Sequence, residues 1–266
     1  MKNILLILSL VFIFISCEDV IEVDLDTSNP RLVIEASINL LENGSTASVV
    51  HLTKTAPFFD NEIPIVDNAI VIITSENGEE FTFNHIGNGD YHTDFTPDPS
   101  LEYTLTVIES EQTYTATEQL NTVSSIQNIE QNEDGGFNGD EIEIRFSFLD
   151  PPGIENFYYV EGLSIRGNNR DAFDDEFFDG NEVPGFYFVE DLTEGDVITL
   201  NLFGVDEQFY NFMFVLLQQG SEDSGGPFET QPATIKGNII NQTNPDNYPL
   251  GYFRISELST VTYTIQ

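Results

Sequence analysis

Hydrophobic and polar residues alternate with a period of two along most of this chain. Arg31 to Ile38 and Ser45 to Leu52 read as strands separated by Glu42-Asn43-Gly44, a turn signal. Ala69 to Thr74 runs into Asn77-Gly78 and then Glu80 to Phe83. That arrangement predicts a hairpin, because Asn-Gly tolerates the positive φ angles of a type I′ turn. Gly89-Asp90-Tyr91, Tyr103 to Val107 and Glu111 to Glu118 continue the series. Tyr103, Leu105 and Val107 share one face, Thr104 and Thr106 the other. Short strands at regular spacing, with no helical pattern between them, predict an immunoglobulin-like or transthyretin-like β-sandwich over residues 28–121.

A second β-rich domain is expected over 122–266. Val123 to Ile129 is strand-like, and Gln131 to Gly139 is polar and Gly-rich. Strands resume at Glu141 to Phe148, where Ile142, Ile144, Phe146 and Phe148 alternate with polar residues. Phe157 to Ile165, Val197 to Phe203, Gly251 to Ser256 and Val261 to Ile265 extend the pattern. Asn168 to Gly185 is acidic, aromatic and without period, and is expected to be a long loop. One segment departs from the β pattern. In 206–219, Phe209, Phe212, Met213, Leu216 and Leu217 fall at the spacing of a single helix face. Asp206 is placed to cap that helix, and Gly220 to end it in a left-handed conformation. Its Phe209/Met213/Leu216 face is expected to pack on a sheet of the second domain. The fold class expected is therefore mainly β, with one short helix.

The first residues carry a different signal. Met1-Lys2-Asn3 is a positively charged start, Ile4 to Ile15 is apolar except for Ser9, and Ser16 precedes Cys17, the only cysteine. The apolar run is the length of a secretory h-region and falls short of the roughly 20 residues of a spanning helix. Residues 1–16 resemble a bacterial lipoprotein signal peptide, whose lipobox ends in a small residue and Cys. Phe14 stands where Leu is usual. The resemblance implies that Cys17 is acylated and becomes the first mature residue, followed by an acidic tether at 17–27.

Charge narrows the function classes. The chain has 46 Asp+Glu against 8 Lys+Arg, which argues against nucleic acid as a partner and against a peripheral grip on anionic lipid. Its 22 Phe and 10 Tyr supply a core that a disordered acidic chain lacks.

Candidate chemistry is sparse. Glu222 to Pro227 looks like the stretch around the nucleophile of trypsin-like proteases, but neither a matching His setting nor the leading Gly is present. His51, His85 and His92 lack metal-ligand spacing, so a metal site would need the sandwich to bring them together. Asp171, Asp174, Asp175, Glu176 and Asp179 are dense oxygen donors outside the EF-hand spacing. A solvated acidic loop is the favoured account, with weak or no specific Ca²⁺ binding. Phe173, Phe177 and Phe178 in that stretch must pack somewhere. No nucleotide, zinc or nucleophile-elbow motif is present, and neither catalytic residues nor a cofactor or metal is assigned.

Three features carry a family resemblance. They are Cys17 to Asp24 leading into Pro30 to Glu35, the pairing of Gly89-Asp90-Tyr91 with Tyr103 to Val107, and the tail Pro227 to Pro232 through Gly237-Asn238-Ile239 to Leu250 to Phe253. In that order they resemble the Bacteroidota lipoproteins grouped as domain of unknown function 4249. The resemblance implies an envelope lipoprotein, anchored in the outer membrane through Cys17 and often encoded beside a TonB-dependent receptor, which is the candidate partner, with no established catalysis. The function expected is non-enzymatic, accessory to such a receptor in ligand or nutrient binding, with the ligand unnamed. Two alternatives stay open: an adhesive or structural surface lipoprotein, and a hydrolase with a site in the second domain. Glu18 and Asp19 resemble a surface-export signal, which favours the cell-surface face of the outer membrane.

Overall fold

The computed structural model describes residues 29–57, 62–136, 139, 141–220 and 234–266. The expected signal peptide and tether, Cys17 and the 222–227 segment lie outside the described residues. Among those residues the chain is mainly β, as the alternation predicts. The order is β1 (Leu32–Leu41), β2 (Thr46–Lys54), β3 (Ile70–Ser75), β4 (Glu80–Gly87), β5 (Asp90–His92), β6 (Glu102–Glu109), β7 (Gln112–Gln119), β8 (Asn128–Gly135), β9 (Glu141–Leu149), β10 (Phe157–Ser164), β11 (Asn168–Asp174), β12 (Glu182–Phe188), β13 (Val197–Val205), α1 (Glu207–Gly220), β14 (Ile240–Asn241) and β15 (Leu250–Thr264).

Twelve strands form one sheet in the order β11-β10-β13-β15-β1-β2-β5-β4-β3-β6-β7-β14, and three form a second, β12-β9-β8. The inward residues of β1 (Leu32, Ile34, Ala36, Ile38) and β2 (Val50, Leu52) share a core with those of β3, β6 and β7 (Val71, Ile73, Leu105, Val107, Tyr114). The long sheet thus closes over its own inner face, making the first sandwich. The second sandwich packs β9 and β12 (Ile144, Phe146, Phe148, Val183, Tyr187) against β10 and β13 (Tyr158, Val160, Ile198, Leu200, Leu202). Gly162 in β10 makes room for this packing, since a Cβ there would stand 1.9 Å from the Tyr187 ring.

β15 joins the two sandwiches. Its first part pairs in parallel with β1, from Val33↔Leu250 to Leu41↔Leu258. Its second part pairs antiparallel with β13, from Phe203↔Leu258 to Val197↔Thr264. Ile239, Phe253 and Ile255 enter the core of the first sandwich. The expected division at residues 121/122 is therefore crossed by the returning C-terminal chain.

Several local expectations are corrected. Asn168 to Gly185 is not a loop: β11 pairs with β10, and β12 pairs with β9. β11 is an edge strand with Asn168 to Asp171 exposed, so it carries no apolar period. Phe173 and Phe178 pack on the second core, while Phe177 is 83% exposed. The strand expected at Val123 to Ile129 begins only at Asn128 and runs on through the polar stretch. Asn77-Gly78 does turn a hairpin, but only Gly78 has positive φ (87°), and its N–H donates to Ser75 O at 2.8 Å. That is a type I turn with a Gly in the left-handed region rather than type I′. The type I′ geometry lies at Asn88-Gly89, with φ of 53° and 80°.

The helix starts as expected: the Phe209 N–H donates to Asp206 Oδ1 at 2.7 Å, capping the first turn. It does not end as expected, because Gly220 remains helical outside the left-handed region. Phe209 and Met213 are buried against Tyr159, Phe203, Val205 and Tyr252, which lie on the outer face of the large sheet. Leu216 is 43% exposed and does not share that burial.

Candidate functional site

α1 packs on β11 and β10, and its Phe209 shares a core with Phe203 of β13 and Tyr252 of β15, but the adjoining face of β1 is left open. The gap is a cleft of about 1130 Å³. Val33, Glu35 and Ser37 of β1 and Tyr252 and Arg254 of β15 form its floor, because parallel pairing brings these alternate residues to the same face. Phe212, Met213, Leu216 and Leu217 of α1 form an apolar wall. Tyr159 and Glu161 of β10 and Arg170 of β11 close the opposite end.

Polar groups at that end hold one another. Glu161 Oε1 accepts from Arg170 Nε at 3.0 Å and from the Tyr159 hydroxyl at 2.9 Å. Burial, with Glu161 beside it, pushes the Tyr159 hydroxyl up. Arg254 Nη1 donates to Asn39 Oδ1 at 2.8 Å, and its Cζ lies 4.3 Å from the Phe203 ring centroid and 5.5 Å from that of Phe209. Burial pushes the guanidinium down to about 10, against the opposing field of Glu161, so it stays cationic at neutral pH. A smaller cavity of about 340 Å³ lies at the end of β1, where Glu257 Oε2 accepts the Val123 N–H at 2.9 Å.

The fold divides the acidic stretch between a strand and a turn, and the turn gathers two of its carboxylates with a third from outside the run. Asp171 and Asp174 are in β11, whereas Asp175 and Asp179 approach Asp150, with carboxylate oxygens within 4.8 Å of one another. Asp150 accepts from the Tyr158 hydroxyl and from the Gly180 N–H at 2.9 Å. Asp175 Oδ2 accepts the Asn156 N–H at 3.0 Å, and Asp179 Oδ1 the Gly153 N–H at 2.6 Å. These bonds tie the 150–156 turn to the 175–180 turn. Asp150 escaped notice in the sequence because it lies outside the acidic run.

The sandwich does place the three histidines on the neighbouring strands β2, β4 and β5, but their contacts are separate. His51 Nδ1 lies 2.6 Å from Asp90 Oδ1, His92 Nδ1 lies 2.7 Å from Ser48 O, and the His85 ring stands 5.1 Å from that of Tyr91. The cleft residues were legible singly, as a helix face and two strands. Nothing local announces that Arg254, Glu161 and Glu35 line one cleft, because long-range pairing assembles it.

No curated protein matches the chain at a significant level. Among solved structures, a two-domain fibronectin type-III segment from chicken tenascin is 16% identical, with 66% of this chain and 91% of that chain covered at a TM-score of 0.20. So low a score carries no weight, and the fold rests on the strand pairing above. The family described as Domain of unknown function (DUF4249) matches residues 18–261, nearly the whole of this sequence. The chain belongs to that family.

Proposed function

We propose that this protein is a non-enzymatic, lipid-anchored outer-membrane protein that binds a ligand in the cleft between α1 and the large sheet, as an accessory to a TonB-dependent receptor. The cleft carries this reading. It combines an apolar wall with a few fixed polar groups, the make-up of a small-molecule site, at a volume somewhat above the usual range for such sites. Its described lining contains no histidine or cysteine, and Glu161, Arg170 and Tyr159 are engaged with one another, an arrangement suited to holding a ligand. Anchoring rests on Cys17 and the apolar run before it. No helix among the described residues is long and apolar enough to cross a membrane. The strand-rich body would then stand off the bilayer on the acidic tether, with Glu18 and Asp19 favouring the outer face.

Labelling host cells with an alkynyl palmitate tests the anchor. Label should enter the wild-type chain, and Cys17→Ala should lose both label and membrane retention. Tight retention of unlabelled Cys17→Ala in washed membranes would refute lipid anchoring. Proteinase K on intact cells reports the face: cleavage without lysis is expected, and protection until lysis would place the protein in the periplasm.

A further inference from the structure

We propose that the cleft takes an amphiphile bearing a single carboxylate, with the Arg254 guanidinium receiving the carboxylate and the exposed side of α1 receiving the apolar chain. This rests on the reading of the cleft as a ligand site.

Cations are scarce in this chain, and how they are used is informative. Against 46 Asp+Glu there are 8 Lys+Arg. Among the described residues, Lys54, Arg145, Arg166 and Arg170 each pair with a carboxylate. Arg31 and Lys236 each lie 3.9 Å from the Tyr248 ring centroid. Arg254 pairs with no carboxylate among the described residues, and Asn39 Oδ1, a neutral oxygen, is the acceptor it engages there. A guanidinium presents five N–H donors in a planar fork suited to a carboxylate. Glu161, the carboxylate whose field acts on Arg254, already accepts from Arg170 and Tyr159. A partly desolvated arginine thus faces a cleft in a protein where carboxylates outnumber cations nearly sixfold.

The rest of the lining restricts the ligand further. Glu35 and Glu161 balance Arg170 and Arg254, so the described lining is neutral inside a molecule of formal charge −38. The long-range field opposes any anion, and opposes polyanions most. One negative charge can be matched by Arg254; a second would meet Glu35 or Glu161. Affinity must then come from apolar contact, which Phe212, Leu216 and Leu217 offer along the wall. Each methylene buried there strengthens binding by up to about fourfold.

The test is calorimetry with octanoate and 1-octanol, which share a chain and differ in the head group. The protein is the full mature chain carrying Cys17→Ala, so that no acyl chain or detergent competes. Octanoate should bind saturably at one per chain, at least tenfold more tightly than 1-octanol. Arg254→Gln should erase that preference, Arg254→Lys should retain part of it, and Leu216→Gln should weaken both probes. Leu216 is already solvent-exposed, so that variant keeps the test usable if Arg254→Gln fails to fold. Equal affinity for the two probes would overturn the carboxylate assignment while leaving the cleft as a ligand site. Absence of saturable octanoate binding, or unchanged preference in a folded Arg254→Gln, would also overturn it. None of these results bears on lipid labelling at Cys17 or on recovery of a receptor, so the broader reading is tested separately.

Discussion

Glu118, at the end of β7, shows how far the fold departs from what a single residue discloses. In sequence it is one of many acids. In the fold it is 8% exposed, with Asn238 Nδ2 donating to its Oε1 at 2.6 Å. Burial raises its carboxyl, Asp206 at the helix cap adds to this, and the Asn238 and Gln119 hydrogen bonds oppose it, leaving it at about 8. Between its ordinary value of 4.5 and about 8, the native state holds a proton that the unfolded state has lost. Stability from this group is complete below the ordinary value and declines as pH rises through that window. Glu118→Gln keeps the amide acceptor and cannot ionise. Its melting temperature should match the wild type near pH 4.5 and exceed it by a few degrees near pH 8.5; equal values at both pH values would contradict the assignment. Gly162 is a second case. Gly162→Ala sets a methyl 1.9 Å from the Tyr187 ring, so the second sandwich should lose several degrees of melting temperature. The Asp206 cap, by contrast, was legible, because a capping residue acts within one turn of its own helix.

At the scale of the element, α1 divides into a packed side and an open side. Met213 is buried among aromatic rings and Leu216 lines the cleft. Met213→Asp should therefore destabilise strongly by burying an unpaired charge, whereas Leu216→Asp should change stability by about 0.5 kcal/mol or less. Periodicity placed both on one apolar face, because it records spacing and not which neighbours cover that face. Phe209→Ala should cost about 3–5 kcal/mol, since Phe209 packs between Tyr159 and Tyr252 with ring centroids at 5.5 and 5.0 Å. Denaturant titration of these three variants checks the division. The strands show the same limit. β1 and β6 are buried on alternate positions and announced themselves. β11 has polar residues on both faces at a sheet edge, and in β12 the alternation Val183, Gly185, Tyr187 is obscured by the small Gly185 and by Pro184. A Cβ on Gly185 would stand 2.1 Å from the Phe146 ring, so that gap in the apolar pattern is itself a packing requirement.

For the whole molecule, β15 is the decisive element. Its parallel pairing with β1 spans more than two hundred residues of chain, and local pattern carries no information about such a partner. Its two halves serve different sandwiches, so the strand couples them, and the cleft floor is built where β1 and β15 run side by side. A fragment of residues 28–121 lacks β15 and the core residues Ile239, Phe253 and Ile255. It should fail to give a dispersed amide spectrum, while a chain of residues 17–266 does; a well-folded fragment would show that β15 is dispensable to the first sandwich. The central claim is that this body, tethered through Cys17, serves a TonB-dependent receptor. The most direct measurement is affinity purification of the tagged, lipidated protein from solubilised outer membranes, with quantitative mass spectrometry against a Cys17→Ala control. A single TonB-dependent receptor, enriched with the wild type in near-equal amount and missing from the control, is the predicted result. Recovery of the wild type from the outer membrane with no such receptor above the control level would contradict the claim.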